Sequence, residues 1–143
     1  MTKNEFEIEQ FLEKINGDFF SICQRTGMFF CPKELWPNIA KIKDGKLVAH
    51  IDFKYIEDDT YKYERLVSYL AQKIRSDKYK NCWKTIPENE RKWLVDHRNS
   101  IDHHNNPIAP SNFDKRAANP SRLWNIIKII NNFYNYKPDF LSH

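Results

Sequence analysis

Glycine is scarce in this chain, with three in 143 residues. Tight turns depend on that residue, so its scarcity argues against a turn-rich all-β fold. Cysteine is scarce too. Cys23, Cys31 and Cys82 are an odd number, and no two form a Cys-x-x-Cys pair. That disfavours a zinc ribbon or a redox pair and fits reduced thiols in a cytosolic protein. No apolar run approaches the ~20 residues that span a bilayer. Met1 to Glu13 is acidic and lacks the apolar stretch of a signal peptide. The expectation is a soluble cytoplasmic protein with no membrane partner. Repeats, low-complexity stretches and an internal linker are all missing, so residues 1–143 read as a single domain.

What the chain does have is a folded composition. It is 41% hydrophobic and 29% charged, with ten Phe, seven Tyr and four Trp. A chain of this length buries a core without disulfide or metal staples. The net charge of +4 is a weak pointer to a polyanionic partner, and its distribution says more. Residues 1–60 hold 8 basic and 11 acidic groups, 61–98 hold 10 and 5, and 105–143 hold 5 and 2. The basic surplus therefore begins only in the second half. Lysines that merely solvate helix faces give the same statistic.

Thr2 with Glu5 fits a capping box, and Ile8, Phe11, Leu12, Ile15, Phe19 and Ile22 follow at helical spacing. Gly27 marks the end of that helix, and Gly17 is a place for a kink. Met28 to Pro32 is apolar, which predicts a buried connector. Asp44-Gly45 lies between apolar runs, predicting a small β-hairpin insertion near 39–53. Asp58, Asp59 and Thr60 are candidate caps for a second helix, whose stripe is Tyr63, Leu66, Val67, Leu70 and Ile74. Lys78 to Lys84 reads as a basic connector with two aromatic anchors. Thr85-Ile86-Pro87-Glu88 is a second capping box, opening a helix to about His104. Polar residues 105–119 read as a loop. Asn119-Pro120 opens a last helix over about 120–136, with Leu123, Ile126, Ile127, Ile130 and Phe133 inward. The tail after Pro138 is expected to fray. The fold class is all-α, a bundle of about four main helices.

The densest chemistry lies in Arg98-Asn99-Ser100-Ile101-Asp102-His103, followed at once by His104. On a helical wheel Leu94 and Ile101 define a core face, with Arg98 near it. Asn99 and His103 share the far side, one turn apart, so the amide can orient the imidazole. Arg98 and His103 stand about 140° apart and cannot meet on one straight helix. Arg98 and Asp102 form an i,i+4 pair, which on a surface is worth only ~0.3–0.5 kcal/mol. His97 flanks the core face and reads as a packed histidine, and His50 as structural. His97 and His104 share a face but lie ~10 Å apart, too far for one ion. No metal and no cofactor is expected.

Arg, a polar residue, three more residues and His, on a late helix of a small bundle, resembles the signature of the HEPN family. The family pattern is Arg, four to six residues, then His. His103 fits the four-residue spacing and His104 the five-residue spacing. The resemblance implies a HEPN-like helical bundle that pairs as a homodimer, joining two motifs at one cleft. It further implies a metal-independent endoribonuclease that leaves 2′,3′-cyclic phosphate and 5′-hydroxyl ends. Such enzymes act as toxins or in phage defence, often held by an antitoxin or another regulatory partner. The implied catalytic set is Arg98, Asn99 and His103, with Asp102 and His104 in support. RNA contacts are expected from Lys78, Lys80, Lys84, Arg91, Lys115 and Arg116. Two features depart from the family: the hairpin near 39–53, and Asn105 where some silenced toxins carry a modifiable Tyr. The rival functions are a non-catalytic RNA- or nucleotide-binding module and a helical protein-interaction domain.

Overall fold

The computed structural model describes residues 1–27, 30–39, 42–43, 46–47, 53–102 and 118–141; at 42–43, 46–47, 53–57 and 102 it describes the backbone alone. Most of these residues are helical. The α-helices are α1 (Lys3–Thr26), α2 (Phe53–Ile74), α3 (Lys80–Thr85), α4 (Glu88–Asp102) and α5 (Pro120–Phe133). Short 3-10 turns cover Lys33–Asn38, Asp77–Tyr79 and Asp139–Leu141.

Local chemistry sets the ends of α1 as the sequence predicts. The Thr2 hydroxyl oxygen accepts the Glu5 N–H at 3.1 Å. Gly27 closes the helix at φ 56°, in the left-handed range that favours glycine, and its N–H reaches the Cys23 carbonyl. The helix runs unbroken through Gly17, which faces open space. At the start of α5 the Asn119 side chain accepts the Arg122 N–H at 3.1 Å, with Pro120 in the first turn.

The core sits around α2, which packs on α1 and α4, while α5 packs on α1 and α3. Tyr63, Leu66, Val67, Leu70 and Ile74 of α2 are all buried, as their spacing predicts. They meet Phe11, Leu12, Ile15, Phe19 and Ile22 of α1 and Leu123, Ile126, Ile127 and Ile130 of α5 in one cluster. Phe19 stacks on Trp124 with centroids 5.3 Å apart. Asn16 and Asn131 exchange two amide hydrogen bonds of 2.8 Å inside this core, so neither buried amide is left unsatisfied.

Several expectations need correction. The second helix begins at Phe53, not at the Asp58–Thr60 cluster. Asp59 is therefore a helix-interior residue and not a cap. It is fully buried, and its carboxylate meets the Arg25 guanidinium at 2.8 Å. An ion-paired carboxylate can go inside where an unpaired one cannot. Among the described residues the β structure near 39–53 is two two-residue strands, with Ile42 opposite Leu47 and Lys43 opposite Lys46. Ile39 instead ends a 3-10 turn and Phe53 opens α2. The Asp44-Gly45 turn and His50 lie outside the described residues.

The basic connector 78–84 is a 3-10 turn leading into α3, and it buries Tyr79 and Cys82. Thr85 does not cap α4; its hydroxyl donates to the Cys82 carbonyl at 2.6 Å. Phe133, expected inward, is 41% exposed, because α5 ends there and Asn135 turns the chain at φ 53°. The tail does not fray through Leu141. Phe140 stacks flat on Phe20 at 4.2 Å, and its carbonyl accepts the Asn38 amide at 3.0 Å. Of the apolar connector 28–32, the described residues Phe30, Cys31 and Pro32 are buried. The loop expected at 105–119 falls largely outside the described residues.

Candidate functional site

The motif region is built on α4. Leu94 and Ile101 face the core, as their wheel positions predict. Arg98 lies one turn past Leu94 at the edge of that face. It is half-buried, and its Nε is shielded from solvent. Asn99, about 100° further round, is exposed. The α-helix runs without a break through Asp102. His103, His104, Lys115 and Arg116 lie outside the described residues, as does the Asp102 side chain. The structure thus places Arg98 and Asn99 as neighbours on different faces of one helix.

A polar clamp holds this helix from below. His97, the residue before Arg98, is 1% exposed. Its Nε2 lies 2.9 Å from the Tyr63 hydroxyl of α2. The same hydroxyl oxygen accepts the Asn119 backbone N–H at 2.9 Å. The hydroxyl keeps a second lone pair and its own proton, so it can bond Nε2 in either neutral tautomer of His97. Burial raises the Tyr63 pKa well above the usual phenol value, against the pull of the Asn119 hydrogen bond, so the phenol keeps its proton. On the His97 ring the Trp93 indole stacks at 4.8 Å, 19° from parallel. Arg122 of α5 lies 5.1 Å from the Trp93 centroid and grips Glu90 at 3.0 Å. One phenol therefore ties α4 and the entry to α5 to the central helix.

One turn before Tyr63 on α2 stands the buried Asp59, paired with Arg25 of α1. This pair and the Tyr63–His97 contact thus run across the inside of the bundle, α1 to α2 and α2 to α4, besides the Asn16–Asn131 amides between α1 and α5. Sequence reasoning missed both. Asp59 and Tyr63 are four residues apart, which is the only trace either link leaves in the sequence.

Of the basic residues expected to meet RNA, Lys78, Lys80, Lys84 and Arg91 are among the described residues. Lys78 is ion-paired to Glu7 of α1. Arg91 donates to the Ile86 carbonyl at 2.9 Å and lies 6.0 Å from the Trp83 ring. Both side chains are engaged within the fold, and Lys80 and Lys84 are exposed. Nearer the motif is a groove of about 750 Å³, lined by residues of α1 and α2 and by Ile101 of α4. Among the described residues no three His, Cys, Asp or Glu side chains are grouped to hold a metal ion. No described helix is long and apolar enough to cross a membrane.

The comparisons with known proteins add nothing to this geometry: no family model matches the chain, and neither a curated protein nor a solved structure does.

Proposed function

We propose that the chain is a HEPN-type, metal-independent endoribonuclease acting as a homodimer. The observation that carries this reading is Arg98 at the seam of a late helix. Its guanidinium is half-buried and its Nε shielded, while Asn99 beside it faces outward. A half-buried guanidinium is oriented before any phosphate arrives, and reduced solvation strengthens its field. Arginine's planar fork matches two phosphate oxygens.

In this reading RNA supplies the nucleophile, its own 2′-hydroxyl. His103 takes the proton from that hydroxyl as its oxygen attacks the adjacent phosphorus. The bond to the 5′-oxygen breaks, and that oxygen receives a proton, leaving a cyclic phosphate and a 5′-hydroxyl. Arg98 holds the phosphate oxygens as negative charge builds on them, with Asp102 steadying the guanidinium. Asn99 orients the imidazole one turn away, and His104 stands next to it in support. On a continuing α-helix Arg98 and His103 stand about 140° apart, which favours a site shared between two copies. A toxin or defence role in the cytoplasm, restrained by an antitoxin or another regulator, is part of the same proposal.

The test is incubation of purified protein with total RNA in EDTA, followed by end-group analysis. The expected products carry 2′,3′-cyclic phosphate and 5′-hydroxyl ends, and His103→Ala abolishes them while leaving the fold intact. Cleavage that survives His103→Ala sinks the assignment. Salt-dependent RNA binding without turnover instead identifies a binding module.

A further inference from the structure

The groove beside α4 has a lining that the ribonuclease reading does not use. Its rim carries Tyr61, Lys62 and Arg65 of α2, and Ile101 of α4 contributes to its apolar floor with Leu66. Ile101 lies between Arg98 and Asp102 in the motif, so the groove adjoins the motif helix. Tyr61 is 61% exposed, an unusual position for a large ring, and the Arg65 guanidinium carbon sits 5.7 Å from its centroid. Across the groove Lys14 lies 5.0 Å from the Tyr69 ring and is paired with Asp18 at 3.1 Å.

The charges select among ligands. Asp18 and Glu64 also line the groove, so a bare polyphosphate meets carboxylates as well as cations. A nucleotide fits better. Its base offers a π-face to Tyr61, its phosphate meets Lys62 and Arg65, and an exocyclic amino group finds a carboxylate acceptor. The volume suits one or two nucleotides, within the common range of ~300–1,000 Å³ for ligand sites.

We propose that this groove binds single-stranded RNA, stacking a base on Tyr61 and pairing the backbone with Lys62 and Arg65 next to the motif. Bases with an exocyclic amino group, adenine among them, are held in preference to uracil. The strand's continuation toward Arg98 rests on the ribonuclease reading; the binding itself does not.

The experiment keeps the two apart by using RNA that lacks the nucleophile. Short 2′-O-methyl oligoadenylate and oligouridylate are titrated by fluorescence anisotropy against wild type, Tyr61→Ala, Arg65→Gln and, as background, Lys3→Gln. All these side chains are exposed, so the variants fold. The expected result is tighter binding of oligoadenylate, weakened about tenfold by Tyr61→Ala and less by Arg65→Gln. Equal affinity in wild type, Tyr61→Ala and Arg65→Gln overturns the groove, even if total RNA is still cleaved. Failure of wild type to bind either oligonucleotide overturns it as well. Conversely, binding that responds to Tyr61→Ala without any cleavage of natural RNA keeps the groove and removes the nuclease.

Discussion

The Tyr63 hydroxyl lies 2.9 Å from His97 Nε2 and 2.9 Å from the Asn119 backbone nitrogen, so one oxygen joins α4 to the start of α5. Tyr63→Phe removes both hydrogen bonds and leaves the Asn119 N–H without that acceptor. The expected cost is ~1–3 kcal/mol, read as a lowered urea midpoint at unchanged m-value. Amide exchange at Asn119 should quicken more than exchange in the middle of α1. Uniform acceleration across the chain removes the clamp role from Tyr63.

The Arg25–Asp59 pair behaves differently, because one partner is fully buried and the other is 32% exposed. Arg25→Met strands a carboxylate in the core and is expected to cost ~3–5 kcal/mol. Changing both residues, as Arg25→Met with Asp59→Leu, removes the charge along with its partner. The double variant should recover most of the loss in chemical denaturation, a coupling that a double-mutant cycle reads directly. Additive losses show that the pair is not an energetic unit.

The bundle was legible because its helices follow simple rules of spacing and capping. The apolar stripes of α1 and α2 and the caps at Thr2 and Asn119 need no knowledge of distant neighbours. The polar interior was not legible. Tyr63 is 34 residues from His97 and 56 from Asn119, so nothing local reveals that its hydroxyl joins them. Asp59 misled for the same reason. Its type favours a cap, and only Arg25 arriving from α1 makes burial acceptable. The tail was misjudged because the Phe20 ring that holds Phe140 lies 120 residues away. At the motif, the wheel located Arg98 near the core seam and Asn99 outward, because both follow from helical geometry alone. The groove residues Tyr61 and Arg65 left a readable sign, an aromatic and a cation four residues apart off the apolar stripe.

Alkaline pH should weaken the packing of α3 on α5. Burial pushes the Cys82 thiol up to about 12 from its ordinary 9.0, although its hydrogen bond to Thr85 acts the other way. Burial, with Cys82 and Tyr79 close by, also raises Tyr134 to about 12 from 10.0. Both groups hold their protons more tightly in the folded chain than in the unfolded one. Their contribution is complete below pH ~9 and is lost as pH rises toward ~12, with a slope of at most ~1.4 kcal/mol per unit for Cys82. Urea midpoints at pH ~8 and ~10.5 should therefore differ in wild type, and Cys82→Ala should reduce the difference. An unchanged difference assigns the alkaline loss to other groups.

The strictest prediction concerns Arg98 and His103 as members of one site drawn from two copies. Each of Arg98→Ala and His103→Ala should be inactive alone. If the site is shared, a mixed dimer pairs the intact arginine of one copy with the intact histidine of the other, giving one working site of two. Random reassortment of equal amounts, by denaturing and refolding the two variants together, makes half of the dimers mixed. Activity should then return to about a quarter of the wild-type level. A site built within each copy predicts no recovery, because every copy in the mixture lacks one member. Recovery with the Arg98→Ala and Asn99→Ala pair instead places Asn99 with the histidine of its own chain or with the arginine, according to whether the quarter level appears. Asn99 one turn before His103 on the same helix predicts that it does, since each mixed dimer then keeps one arginine opposite one intact Asn99–His103 pair.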